Sequence, residues 1–173
     1  LALSTKSLGE NHWRTARVRG SLAMVWRVQG RLDEAAAALD AARAVSLAAF
    51  GPAHPHLAAL DCERGQVFLA RGDAQHATTV LRDALALQLG LYPSNSWRVA
   101  STQSLLGAAL LACGQTEEAA KLLRAAKAAL PDIAGPRGRE TAATRDRLAV
   151  LERQQCFFLA PRLAPHPHRS EER

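Results

Sequence analysis

An all-α solenoid of antiparallel helix hairpins is the fold class this sequence predicts, on three observations. Gly30, Gly72 and Gly114 stand 42 residues apart, and each is followed five residues later by an alanine, Ala35, Ala77 and Ala119. Other columns keep the step: Leu39, Leu81 and Leu123; Ala42, Ala84 and Ala126; Trp26, Phe68 and Leu110; Leu8, Phe50 and Tyr92. Within each period the apolar residues recur at helical spacing on two stripes, as in Val99, Leu105, Leu106 and Leu110 before Gly114 and Ala119, Leu122, Leu123 and Ala126 after it. Self-similarity at a fixed period of this length means one supersecondary unit stacked on copies of itself.

Residues 1–8, LALSTKSL, align with the end of a second helix, because Leu1, Leu3 and Leu8 fall 42 residues before Arg43, Val45 and Phe50. The chain is therefore expected to begin within a repeat, as the carboxy-terminal piece of a longer protein, with residues 1–12 closing a truncated unit. Hairpins follow over about 13–50, 55–92 and 97–130. In each, glycine supplies the turn; the second helix opens with acidic residues in two copies, Asp33 and Glu34 in one and Glu117 and Glu118 in another, which suit the positive end of the helix dipole. A small residue recurs inside the first helix, Ala23, Gly65, Gly107 and, one period on, Ala149. Glycine costs about 1 kcal/mol against alanine in a helix interior, so its return at one column argues for close helix contact there. After a loop over 131–138, residues 139–155 read as a lone capping helix, because Cys156 stands where the next turn glycine would fall. The tail 156–173 is expected to be mostly disordered from about Pro161.

Composition agrees with a helical chain, since 48% of the residues are apolar and only 5% aromatic. No run of about 18 apolar residues offers a transmembrane helix, and the start is too short for a secretory signal, so a cytoplasmic protein without membrane contact is expected. Cys62, Cys113 and Cys156 have no metal-ligand spacing and read as reduced thiols, Cys62 and Cys113 on first helices. His54 and His56, and His166 and His168, pair around single prolines without a third ligand, so no metal is expected; His54 has a copy at His12, which favours a local helix-entry role for both. No catalytic residues and no cofactor are expected, for the sequence holds no phosphate-cradling glycine loop and no nucleophile elbow. The formal charge of +6 comes mainly from arginines near both ends. Without interleaved aromatic residues these read as solvated faces or as contacts to an acidic protein rather than as a nucleic-acid groove.

The succession of small residue, aromatic or leucine, glycine, alanine, leucine and alanine resembles the tetratricopeptide repeat over about residues 14–130. The step of 42 resembles the long-period subclass of kinesin light chains and bacterial signalling proteins, with the extra residues in longer helices and in loops such as FGPAHP. The resemblance implies a right-handed superhelix and a scaffold that binds a peptide or helix of a partner on the concave surface of the first helices. The binding residues it implies are Arg17, Met24 and Arg27; Gln66 and Leu69; and Ser101, Ser104 and Leu111, with Gly20, Cys62 and Leu105 on the same surface. Paired asparagines common in long-period repeats are absent at Gly20 and Ser21, Cys62 and Glu63, and Ser104 and Leu105. What remains is an apolar trough edged by Arg17 and Arg27, suited to an acidic or amphipathic segment; the alternative for Leu69 and Leu111 is that they complete the core. The alternatives for the whole chain are the regulatory arm of a bacterial kinase or transcription regulator and a nonspecific nucleic-acid binder. Self-association through the truncated amino-terminal edge is also expected.

Overall fold

The computed structural model describes residues 9, 11–130 and 136–159, the last segment with side chains over 141–153. Its helices are α1 (Trp13–Val28), α2 (Leu32–Phe50), α3 (Pro55–Ala70), α4 (Ala74–Leu91), α5 (Trp97–Ala112), α6 (Thr116–Ala129) and α7 (Pro136–Leu159), with no strand among the described residues. The most extensive contacts are α1 with α2, α3 with α4 and α5 with α6. Each second helix then meets the first helix of the next hairpin, and successive first helices also touch. The architecture is the all-α hairpin solenoid.

Each hairpin turns in the same way. Gly30, Gly72 and Gly114 have φ of 77°, 79° and 76°, the left-handed region that L side chains rarely adopt. The residue after each glycine donates its N–H to a carbonyl five residues back: Arg31 to Trp26, Asp73 to Phe68 and Gln115 to Leu110, each at 2.9 Å. The glycine itself donates to the carbonyl three back, which completes a Schellman closure of the first helix. Asp33 and Glu34 sit in the first turn of α2, and Glu117 and Glu118 in the first turn of α6.

First helices open on a second recurring device. His12 Nδ1 accepts from Arg14 N–H, His54 Nδ1 from His56 N–H, and Ser96 Oγ from Arg98 N–H, at 3.1, 3.2 and 3.3 Å. These residues stand 42 apart, so the two histidines are N-caps, as the sequence suggested. An imidazole can accept there only through an unprotonated nitrogen.

Inside each hairpin a leucine knob from the second helix covers the small residue of the first. A Cβ built on Gly65 would lie 2.5 Å from Leu81 Cγ, and one on Gly107 would lie 2.6 Å from Leu123 Cγ. Ala23 and Leu39, at the same columns of the first hairpin, are both fully buried. The core is correspondingly a chain of clusters, one centred on Ala16, Ala23, Leu39 and Val67, the next on Ala77, Leu81, Val99, Leu106 and Leu110.

The last helix is longer than expected, starting at Pro136 rather than 139 and continuing to Leu159 rather than 155. Cys156 is therefore helical, and the expected disorder of the tail beyond 159 lies outside the described residues, as does the alignment of 1–8. Helix α7 packs on α5 and α6 through Thr141, Thr144, Leu148 and Leu151, which match Val99, Thr102, Leu106 and Ala109 one period earlier. Ala149 is exposed, unlike Ala23, Gly65 and Gly107. The reason is that no second helix follows α7 among the described residues. Glu152 fills the column of Trp26, Phe68 and Leu110 and is exposed as well, so the open face is polar.

Candidate functional site

The residues implied for partner binding fall into four columns, which the fold treats differently. Arg17 and Ser101 share one column with Ala59, Met24 and Gln66 share a second with Ala108, and Arg27, Leu69 and Leu111 form a third. All nine remain exposed or half-exposed, Met24 at 45%. Leu69 and Leu111 rest partly on the core cluster beneath them, so they share in packing while leaving an edge accessible.

The fourth column is a correction. Ser104 is fully buried, and its Oγ lies 2.7 Å from Thr144 Oγ1 on α7 and accepts from Arg147. Its column mates behave alike: a Cβ on Gly20 would lie 3.0 Å from Leu60 Cδ2, and Cys62 Sγ lies 3.1 Å from Thr102 Oγ1. Gly20, Cys62 and Ser104 are thus the seam between successive first helices, each facing a residue 40 positions on; Gly20 and Ser104 are buried there and Cys62 is half-buried. Leu105 is buried as well. Cys113 also departs from its expected place, being the C-cap of α5 rather than part of the helix. Thr102 spends its hydroxyl proton on Arg98 C=O, so Cys62 S–H is the donor in the seam; burial pushes that thiol up to about 11, which keeps it protonated.

The arginines divide into two groups. Arg43 and Arg64 hold Asp61 at 2.8 and 3.1 Å, Arg64 also reaches Asp40, Arg71 holds Asp33 at 2.6 Å and Arg82 holds Glu118 at 2.7 Å, so these side chains tie neighbouring hairpins together. Arg27 lies 3.6 Å from Glu63 on the next first helix, and Gln66 Nε2 donates to the other oxygen of Glu63 at 3.2 Å. Burial raises the Glu63 carboxyl above its ordinary value, with Arg27 pulling the other way. Arg27 is therefore already engaged, which the sequence did not reveal.

Arg14, Arg17 and Arg98 form the second group and lie on rings instead. Arg14 and Arg17 sit 5.3 and 5.8 Å from the centre of the Trp13 ring, and Arg98 sits 5.1 Å from Tyr92 and 4.8 Å from Trp97. Phe50 stacks on His54 at 4.2 Å and meets Trp13 edge-on at 5.9 Å. The fold thus interleaves arginine with aromatic rings, contrary to the sequence reading that kept them apart. The signal was available: Arg14, His56 and Arg98 stand 42 apart, as do Phe50 and Tyr92.

Residues 14–89 match the tetratricopeptide repeat family model. These are tetratricopeptide repeats. The third hairpin, outside the matched residues, carries the same columns at the same 42-residue step. The structure of a kinesin light chain-type protein from Podosopora anserina with nearly identical TPR-like repeats superposes with a TM-score of 0.69 at 24% identity, covering 92% of this chain and 78% of that one. BtubC (BKLC) from P. vanneervenii superposes with a TM-score of 0.67 at 16% identity, covering 99% of this chain and 74% of that one. At these identities the likeness is one of fold. A search of curated sequences finds no match. Among the described residues no cluster of three or more His, Cys, Asp or Glu side chains could hold a metal ion, and no helix is long and apolar enough to cross a membrane. The tetratricopeptide repeat fold generally mediates protein–protein interaction.

Proposed function

We propose that the chain binds a segment of a partner protein along the first-helix face made by the columns of Arg17, Met24 and Arg27. One observation carries this reading: the three columns stay accessible in every repeat, whereas the stacking covers the columns beside them. The face offers Met24 and the edges of Leu69 and Leu111 as apolar contacts, Gln66 and Ser101 as hydrogen-bonding groups, and Arg17 as a charge with no carboxylate beside it among the described residues. An amphipathic or acidic segment matches that inventory. A signalling arm is the biological setting this proposal admits, since such an arm would act through the same face.

The test is selection of binding peptides from a random library, followed by substitution. Met24→Asp and Gln66→Arg are expected to weaken the selected peptides by about tenfold or more, because a desolvated contact and a hydrogen-bonding group are lost at the centre of the face. Leu47→Asp, on the exposed side of α2, is expected to change nothing. Peptides that respond to Leu47→Asp and ignore the first-helix changes would refute the proposal.

A second reading, self-association, is favoured by a separate observation. Val18 and Val25 are 37% and 51% exposed, while Leu60 and Val67, their column mates in α3, are 3% and 2% exposed beneath α1. Beside them Leu22, Trp26, Ala38, Ala41 and Val45 line an apolar cleft of about 610 Å³. Among the described residues no preceding helix stacks on this edge, and a second copy of the chain would cover it. Sedimentation equilibrium should then show a concentration-dependent dimer that Val25→Asp returns to monomer, and a monomer at every concentration would rule the reading out.

A further inference from the structure

The starts of the three first helices enclose a cleft of about 500 Å³ that the partner-binding face does not use as a unit. Its polar walls are Arg17 from α1, His54 and His56 at the start of α3, and Arg98 from α5; its apolar walls are Trp13, Phe50 and Tyr92. Helix α3 touches both α1 and α5, so His56 lies on the helix between the two arginines.

Four features of this cleft call for an anion. Neither Arg17 nor Arg98 has a carboxylate within salt-bridge distance among the described residues, although six other arginines do. Both guanidinium groups are held on aromatic rings, which orients them without consuming their N–H donors. His56 lines the cleft beside them, its buried Nε2 without a hydrogen-bond partner among the described residues. Among the described residues no acidic side chain lines the cleft.

We infer that this cleft is a binding site for a phosphate monoester. A carboxylate has one charge and two oxygens, and a single guanidinium fork satisfies it. Two forks and an imidazole around one cleft suit a group with close to two charges and three acceptor oxygens. The aromatic walls lower the local dielectric, so each charge-assisted hydrogen bond counts for more than it would on open surface. His56 is pushed below its ordinary value by burial first and then by His54 and Arg17; a bound dianion offsets that repulsion and favours proton uptake on the ring. A continuous nucleic-acid track is disfavoured because Arg43, Arg64, Arg71 and Arg82, which would extend the charge along the solenoid, are tied to carboxylates. The site goes beyond the peptide-binding reading and does not depend on Met24 or Gln66.

Calorimetric titration of the full chain with inorganic phosphate, phosphotyrosine, glutamate and a single-stranded oligonucleotide tests it. Saturable binding of a phosphate probe is expected, and Arg17→Gln or Arg98→Gln should each weaken it by about tenfold or more through loss of a fork. Arg82→Gln, engaged with Glu118 elsewhere, should leave it unchanged, with circular dichroism verifying the fold of each variant. Equal affinity for inorganic phosphate and phosphotyrosine would assign the site to the free ion. Tighter binding of phosphotyrosine would assign it to a modified side chain read by the ring walls. The proposal is overturned if neither phosphate probe saturates, if glutamate binds as well, if Arg82→Gln weakens binding equally, or if only the oligonucleotide binds and does so regardless of Arg17 and Arg98.

Discussion

Gly107→Ala is expected to destabilise the protein by about 1–3 kcal/mol, although alanine is the better helix former. The new methyl group would lie 2.6 Å from Leu123 Cγ and 2.8 Å from its Cδ2. The clash involves the branch carbon rather than a free side-chain end, and Leu123 is fully buried, so relief requires α5 and α6 to part. Helix propensity returns less than 1 kcal/mol of that cost. Thermal unfolding should show a drop of about 2–4 °C per kcal/mol for a chain of this size. An unchanged or raised melting temperature would mean that the two helices are not held at the spacing described. The first hairpin accommodates a methyl group at this column, since Ala23 and Leu39 are both fully buried, so the intolerance belongs to the hairpins that carry glycine.

Leu123→Ala is expected to cost more, about 2–5 kcal/mol, from lost apolar burial and the cavity left behind. The buried residues of α6 are Ala119, Ala120, Leu123 and Ala126, so Leu123 is the one large side chain among them. Without it α6 would hold to α5 by alanine methyls and the partly buried Leu122, and α7 would lose part of its support, because it packs on α6. Denaturant unfolding gives the free energy, and hydrogen exchange should show amides of α6 opening before those of α3 and α4. In the double variant with Gly107→Ala the two losses should sum to less than their parts, because the atom that meets the new methyl group is gone. Full additivity would separate the two residues and contradict their contact.

Most of the solenoid was legible because its determinants are local or repeat. The positive φ at Gly30, Gly72 and Gly114 follows from turn chemistry, the acidic starts of α2 and α6 from the helix dipole, and the small columns at Gly65 and Gly107 from the cost of glycine in a helix. The capping role of His54 was legible because His12 repeats it. Even the open polar face of α7 was written in the chain, as Glu152 at the column of Phe68 and Leu110.

The candidate surface was legible only in part. The resemblance to the tetratricopeptide repeat placed Arg17, Met24 and Gln66 on one surface of the first helices and put Ser104 there as well. It could not tell that Ser104 faces Thr144, because that contact joins columns 40 rather than 42 residues apart and depends on how one first helix leans on the next. Arg27 and Arg17 look alike in sequence, yet Arg27 meets Glu63 while Arg17 lies over Trp13.

The sequence by itself determined the helices, their turns, the 42-residue step and the residues that share each helical face, since all of these follow from backbone preferences and spacing within one repeat. Tertiary structure alone decided which faces are covered. It closed the seam over Gly20, Cys62 and Ser104, bared Val18 and Val25 at the edge, and brought Arg17, His56 and Arg98 from three repeats around one cleft. The physical reason is that burial belongs to pairs of elements: a side chain is hidden or available according to the neighbour that stacking sets against it, and the repeat spacing specifies the units without specifying the angle at which they meet.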